Sequence, residues 1–166
     1  MFYDRVRYVD PEFLEMFTFP LQTGTATSLN DVSSIILSHE SAIKYFGYED
    51  PIGQEILILF NEDYKKSFNV SGVAKPFPSA HIIEFDFLIN FENLWLSEPE
   101  FDPNGWDELL TATLIQVDNP ENIVAVKAGM SKYKTLQNQV DSDWLISSFD
   151  FHSLSDLHFA SANIIN

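Results

Sequence analysis

The feature that most constrains the fold is a pair of apolar runs separated by a short polar loop. Residues 56–60 and 68–74 are rich in β-branched and aromatic side chains, and residues 61–66 between them are polar. This pattern predicts an antiparallel hairpin. Because strands and helices otherwise mingle without regular β-α-β alternation, the sequence argues against a doubly wound sheet and favours an α+β fold.

The N-terminal segment predicts a strand followed by a short helix. Residues 2–9 alternate between charged and apolar side chains, as in a half-buried strand. Asp10 is expected to cap the helix, and Pro11 suits the first helical position, where its missing N–H costs nothing. The inward face of this helix is expected to comprise Phe13, Leu14 and Phe17.

A second strand and helix are predicted directly after it. Residues 33–37 form a short apolar run, Ser38 is placed to cap a helix, and Gly47 is placed to end it. Residues 49–53 are typical of a turn. The side chains expected to face inward from this helix are Ala42, Ile43 and Phe46.

The second half of the chain predicts further elements on both sides of one long helix. Strands are expected at 85–89, 113–117 and 144–151, and a helical piece at 91–96. The long helix spans 120–139 and is capped by Asn119; its inward stripe is expected to contain Ile123, Val126 or Lys127, Met130, Tyr133 and Leu136. The predicted fold class is α+β, with mixed or antiparallel sheets, packed helices and two lobes.

Composition limits the function. The chain has 166 residues, 45% hydrophobic and 14% aromatic, which is enough for a packed core. Its formal net charge of −16 repels a phosphate backbone, so nucleic acid is a poor partner. Absence of Cys removes disulfides and thiolate sites, but it leaves the redox compartment open.

No run of apolar residues in the sequence reaches the length of a membrane span, and Asp4, Arg5 and Arg7 stand where a signal peptide needs apolar residues. The chain also opens directly into a predicted strand. We therefore expect it to be an excised part of a longer protein.

The sequence offers no strong catalytic or cofactor motif. It lacks G-x-S-x-G and phosphate-binding glycine loops, and paired carboxylates are expected by chance in so acidic a chain. The best metal candidates are His152, Asp156 and His158, and His81 near Glu84 and Asp86, but neither set matches a stringent ligand spacing. Ordinary surface histidines are the preferred interpretation, and no catalytic residue, metal site or cofactor is predicted.

The order of several motifs resembles a known family. Residues 9–17 read VDPEFLEMF, and FPL and Gly24 follow; residues 35–38 read IILS, with YFG at 45–47 and EDPIGQ at 49–54. Residues 68–73 then read FNVSGV, 78–81 PSAH, 85–88 FDFL and 154–158 LSDLH. Together these pieces resemble the MacB-like periplasmic core domain of MacB/FtsX-type ABC transporter permeases, in the version typical of Bacteroidetes.

The resemblance implies that residues 1–166 form one extracytoplasmic domain with a porter-like lobe and a more β-rich lobe. It also implies that this domain is a fragment, which lacks its N-terminal portion and the flanking membrane helices. It implies a periplasmic location on an inner-membrane permease and non-catalytic coupling of cytoplasmic ATP hydrolysis to export or lipoprotein handling. The implied partners are the transmembrane helices, a homodimer partner, an ATPase and a periplasmic adaptor or lipoprotein. The alternatives are a stand-alone periplasmic or secreted ligand-binding protein and, behind it, an enzyme with metal at His152, Asp156 and His158.

The motif residues are expected to maintain the fold rather than to contact a ligand. They are Asp10, Pro11, Phe13, Phe17, Gly24, Phe46, Gly47, Asp50, Pro51, Gly53, Gly72, Pro78, His81, Asp86, Trp106, Asp156 and His158.

Overall fold

The computed structural model describes residues 4–62, 64–76, 84–98, 100–102, 105, 110 and 113–154. The chain divides into two compact units, Met1–Phe101 and Asp102–Asn166. The assignment of a porter-like lobe and a more β-rich lobe stays a prediction. Among the described helices, none combines the length and the hydropathy needed to cross a bilayer.

The first unit contains a mixed sheet and short helices. In chain order its elements are β1 (Val6–Val9), α1 (Phe13–Met16), β2 (Leu21–Thr23), β3 (Ser34–Leu37), α2 (His39–Phe46), β4 (Glu55–Leu59), β5 (Lys65–Ala74), β6 (Phe87–Asn90) and α3 (Asn93–Ser97).

The six described strands form one sheet in the order β1-β6-β3-β5-β2, and β4 also pairs with β5. β1 is parallel to β6 and β3 is parallel to β5, whereas β3–β6, β2–β5 and β4–β5 are antiparallel. The predicted hairpin is confirmed, with Ile56 opposite Phe68. The mixed sheet with packed helices confirms the α+β class.

Both faces of this sheet carry a hydrophobic core. Ile35 and Leu37 of β3 belong to a cluster that includes Ala42 of α2, while Ile36 belongs to a second cluster with Phe13 of α1. Successive strand residues point to opposite faces, so the apolar run of β3 supplies both clusters. All four residues of β3 and all four of β6 are buried.

A bulge in β5 sets the register of this arrangement. The pairing of β3 with β5 skips Ser71, since Val70 pairs with one residue of β3 and Gly72 with the next. The extra residue shifts the alternation by one. Val70 and Val73 therefore both join the cluster on the α2 side, although they are three residues apart.

Two glycines allow the backbone to approach the bulge. Gly24 has φ +99°, and a Cβ there would lie 2.7 Å from the Ser71 carbonyl oxygen and 2.8 Å from the Gly72 Cα. A Cβ at Gly72 would lie 3.2 Å from Ile36 Cγ1 and 3.2 Å from the Thr23 carbonyl oxygen. A side chain at either position requires movement of backbone or core.

The bulge is also bound by a reciprocal pair of serines. Ser28 Oγ donates to the Ser71 carbonyl at 3.1 Å, and Ser71 Oγ donates to the Ser28 carbonyl at 3.0 Å. Ser28 lies in a 3-10 turn at Ala26–Leu29, and its Oγ accepts the Thr25 N–H at 2.9 Å. These bonds tie the turn after β2 to the irregular part of β5.

The start of α1 differs from the prediction. The carbonyl of Asp10 accepts the N–H of Phe13 at 3.0 Å in a turn that includes Pro11, and the helix begins only at Phe13. Glu12, not Asp10, precedes the helix, and no side chain caps it. The position of this four-residue helix is therefore set by burial of Phe13 and Leu14, and not by a capping side chain.

The prediction for α2 is confirmed at both ends and wrong for one inward residue. Ser38 Oγ accepts the Ser41 N–H at 3.0 Å, and Gly47 ends the helix with φ +63°. Ala42 is buried, but Ile43 is 52% exposed. The buried face follows Ser38, Ser41 and Ala42, and the next residue is rotated by about 100° away from it.

The second unit contains the predicted long helix. Asn119 Oδ1 accepts the Glu121 N–H at 3.0 Å and starts a 3-10 turn at Pro120–Asn122. The turn continues as α4, Ile123–Val140.

The inward stripe of α4 was only partly predicted. The positions that are at least partly buried include Ile123, Val126, Met130, Lys134 and Gln137. Tyr133 and Leu136, which were expected to face inward, are 40% and 45% exposed. An α-helix turns by about 100° per residue, so Tyr133 and Leu136 lie about 60° and 120° around the helix from Met130. This rotation places both side chains away from the buried face.

The strands predicted at 113–117 and 144–151 are wrong: neither segment is a strand. Part of the second segment is held by side chains of α4. Asn138 accepts the Ile146 N–H at 2.8 Å and donates to the Ile146 carbonyl at 3.0 Å, and Lys134 Nζ donates to the Ser147 carbonyl at 2.5 Å. An alternating apolar pattern forms a strand only where a neighbouring strand is present to pair with its backbone. No strand occurs among the described residues of this unit.

We expect Gly24→Ala to destabilise the first unit by about 2–4 kcal/mol, because the positive φ and the contact with β5 both oppose a Cβ. Urea denaturation followed by circular dichroism measures the change.

Gly129→Ala is the matched control. Gly129 lies inside α4 with no atom within 4 Å of the added Cβ, so this change should stabilise by about 0.5–1 kcal/mol. Equal effects of the two substitutions would contradict the close-approach role of Gly24.

Candidate functional site

The motif residues that the structure describes fall into separate places rather than one pocket-like cluster. Gly24 and Gly72 meet at the β5 bulge. Other motif residues lie in α1, in the loop between α2 and β4, and at the start of β6. Five of them lie outside the described residues: Pro78, His81, Trp106, Asp156 and His158.

The α1 motif residues belong to an aromatic layer. The rings of Phe13 and Phe17 are 4.9 Å apart between centroids, and those of Phe13 and Phe19 are 5.7 Å apart. Phe19 in turn lies 5.7 Å from Phe85. This layer covers the sheet face opposite α2, and Asp10 and Pro11 form the turn that enters it.

The loop between α2 and β4 is bound to β5. Gly53 has φ +78°, and its N–H donates to the Val70 carbonyl at 2.8 Å. Within the loop, Asp50 Oδ1 accepts the Ile52 N–H at 3.0 Å, and the Pro51 carbonyl accepts the Gln54 N–H at 3.0 Å. Phe46 packs against the α2-side core, just before the loop begins at Gly47.

Asp86 joins three strands at one end of the sheet. Its carboxylate accepts the Arg5 N–H at 2.7 Å, and its carbonyl accepts the Ser38 N–H at 2.9 Å. The Arg5 guanidinium also contacts Glu84, and these two carboxylates raise the pKa of Arg5. Such an exposed ion pair stabilises little, so the backbone hydrogen bonds are the main contribution of Asp86.

A buried polar network, which the sequence analysis missed, lies where β6 meets α3. Asn93, only 1% exposed, donates to the carbonyls of Val32 at 3.1 Å and Asn90 at 2.9 Å. Its Oδ1 accepts Lys66 Nζ at 2.6 Å. Asn90 donates to the Leu29 carbonyl at 2.9 Å. Together these amides connect β5, β6, α3 and the segment before β3.

Lys66 is the charged member of this network. Its Nζ also donates to the Val32 carbonyl at 3.1 Å and lies 5.1 Å from the Phe68 ring centroid. Burial lowers the pKa of Lys66, and the charge of Asp31 partly offsets that effect. A signal in the sequence could have found it, because Lys66 shares the strand face of Phe68 by two-residue alternation.

The geometry of this network is suited to linking strands and helices rather than to catalysis. Lys66 is engaged by two oxygen acceptors, and the amide groups of Asn90 and Asn93 do not titrate. In the part of the chain that is described, no group of three or more His, Asp or Glu side chains could hold a metal ion. The metal candidates at His81 and at Asp156 with His158 lie outside that part.

We expect Asn93→Leu to destabilise the first unit by about 2–4 kcal/mol, because Lys66 and two carbonyls lose a buried partner. Chemical denaturation measures it. The control is Asn69→Leu on exposed β5 surface, where about 0.5 kcal/mol or less is expected. If both variants lost a similar free energy of unfolding, the hydrogen bonds of Asn93 would not contribute more to stability than an exposed side chain does.

The lowered pKa of Lys66 gives a pH dependence. Below its folded pKa the lysine is charged in both the folded and unfolded states, and the burial penalty is fully present. As pH rises from the folded pKa toward the unfolded value, the unfolded state holds more protons and stability increases. The stability of the wild-type protein relative to Lys66→Met should therefore be higher at pH 10 than at pH 7; a difference that stays constant would contradict the pKa shift.

Comparisons with known proteins agree with this architecture. The family described as the MacB-like periplasmic core domain matches residues 3–133. No match was found among curated proteins.

Two solved structures share the fold. A domain assigned to a permease protein of Porphyromonas gingivalis has a TM-score of 0.57 at 16% identity, covering 95% of this chain and 72% of that one. The periplasmic region of MacB from Actinobacillus actinomycetemcomitans has a TM-score of 0.56 at 14% identity, covering 97% of this chain and 66% of that one. On the match to residues 3–133, the chain belongs to the MacB-like periplasmic core domain family and is a periplasmic domain of an inner-membrane ABC transporter permease.

Proposed function

We propose that this domain is a non-catalytic coupling element, which transmits movements driven by cytoplasmic ATP hydrolysis to partners in the periplasm. The observation that carries the proposal is the sheet of the first unit, which is packed on both faces. Within the described chain, no buried side-chain nitrogen or oxygen lacks a hydrogen-bond partner. A body packed and satisfied in this way moves as a unit rather than deforming.

The motif residues support that rigidity. Gly24 and Gly72 permit the close contact at the β5 bulge, and the loop with Asp50 and Gly53 is hydrogen-bonded within itself and to β5. Asp86 links β1, β6 and the start of α2. Their proposed role is to hold the fold, and none is assigned to catalysis or to ligand binding.

The proposed partners follow from the family. They are the transmembrane helices of the same permease, a second copy in a homodimer, a cytoplasmic ATPase, and a periplasmic adaptor or lipoprotein. The work is export, as in efflux, or handling of lipoproteins outside the inner membrane. A stand-alone ligand-binding protein has less support, because the family match is to a permease domain.

Spin-label distances test the coupling directly. Ser67 is exposed on β5, a strand held by both β3 and β4, so a label at Ser67→Cys reports on the whole sheet. The parent permease would be reconstituted with its ATPase in lipid nanodiscs, and double electron–electron resonance would measure the distance between labels on the two copies. We expect the distance distribution to change between the nucleotide-free and ATP-bound states.

The control uses the same labelled permease with an ATPase whose P-loop lysine is replaced. ATP should then leave the distances unchanged. If ATP leaves them unchanged with the active ATPase as well, the domain does not move with the nucleotide cycle and the proposal is wrong.

A further inference from the structure

Helix α4 exposes an apolar stripe formed by Tyr133, Leu136 and Val140. These side chains are 40%, 45% and 67% exposed. Their spacing of three and four residues places them along one side of the helix. Of the 18 residues of α4, only Gln137 is buried. In proteins most helical stability comes from packing of an apolar face, so an uncovered stripe marks a surface that gains from a partner.

The stripe borders the face by which α4 packs. Of the partly buried positions, Val126 lies about 20° around the helix from Tyr133, and Met130 and Ile123 lie about 60° and 80° from it. Val124 is 69% exposed and lies about 160° around the helix from Val140. The two valines therefore match in residue type and exposure but point in opposite directions.

The body of α4 is basic in an acidic chain. Ile123–Val140 contains three lysines and no Asp or Glu, whereas the whole chain has a net charge of −16. Lys134 and Lys127 contact the segment after the helix, at the Ser147 carbonyl and the Phe151 ring.

Lys132 is the lysine beside the stripe. Its Nζ lies 4.7 Å from the Tyr133 ring centroid. Lys132 and Val140 are eight residues apart, or about 12 Å along the axis. Beyond Val140 the next charges are acidic, but Asp141 Oδ1 is turned back to accept the N–H groups of Asp143 and Trp144.

We propose that the α4 stripe docks a short segment of a periplasmic partner protein, with apolar side chains against Leu136 and Val140 and a carboxylate at Lys132. This inference rests on the proposed coupling function and names a surface through which it acts. The stripe is small, and small interfaces are weak and transient. Such a contact can form and release during each transport cycle.

Charge favours a compact protein segment over a membrane. The Debye length at physiological ionic strength is about 8 Å. A carboxylate placed at Lys132 therefore experiences mainly the nearby lysine charges of α4, because Asp141 lies nine residues, or about 14 Å, farther along the axis. An anionic bilayer is an extended surface, so the net charge of −16 on the whole chain would repel it.

Site-specific photocrosslinking in cells tests the surface. Benzoylphenylalanine would replace Val140 in one parent permease and Val124 in another, and mass spectrometry would map the crosslinked peptides. We expect about tenfold more crosslinking at 140 than at 124, as for a contact with a clear free-energy preference. The mapped peptide should belong to another protein and contain Asp or Glu among apolar residues.

Charge reversal tests the proposed ion pair. Lys132→Glu should reduce crosslinking at position 140 about fivefold, and replacing the mapped carboxylate with Lys should restore it. Lys65→Glu on β5 changes the net charge equally and should leave crosslinking unchanged.

The proposal is overturned by equal crosslinking at 140 and 124, by absence of crosslinking at 140, or by crosslinks to lipid or to a second copy of this chain. These results are independent of the spin-label distances. A moving domain without the crosslink would remove this surface and leave the coupling function intact.

Discussion

The bulge at Ser71 in β5 is the constraint on which the first unit depends. β5 is the longest of the described strands and pairs with β3 along one edge and with β4 and β2 along the other. Without the extra residue, regular alternation would turn Val73 away from the α2-side core in which it lies. Gly24 and Ser28 act on the bulge from the turn after β2, so a local irregularity joins distant parts of the sheet.

Features governed by neighbours in sequence were predictable. Ser38 and Gly47 define α2 because a cap and a positive-φ stop act within one turn, and the hairpin follows from two runs and a short loop. The family resemblance was carried by the same local pieces. The start of α1 was missed because burial of Phe13, rather than capping by Asp10, positions that helix.

The remaining errors concern partners distant in sequence. Residues 144–151 have apolar character, but Asn138 supplies the hydrogen bonds that a neighbouring strand would provide. The charge of Lys66 favours a loop over a strand in the sequence, and its acceptors on Asn93 and Val32 are brought to it only when the chain folds. Alternation with Phe68 can place Lys66 on a strand, but no sequence period identifies the hydrogen-bond partners of Lys66 or Asn138, since each depends on which group tertiary packing brings near.

The two units differ in how they use apolar residues. In the first, β3 and β6 are buried throughout, and the network around Asn93 satisfies the polar groups enclosed with them. In the second, Leu136 and Val140 of α4 are 45% and 67% exposed. The proposed coupling role requires both properties, because a rigid body transmits displacement while an incompletely covered surface can exchange partners. The burial pattern thus separates the part of the chain that holds shape from the part we propose to make contacts.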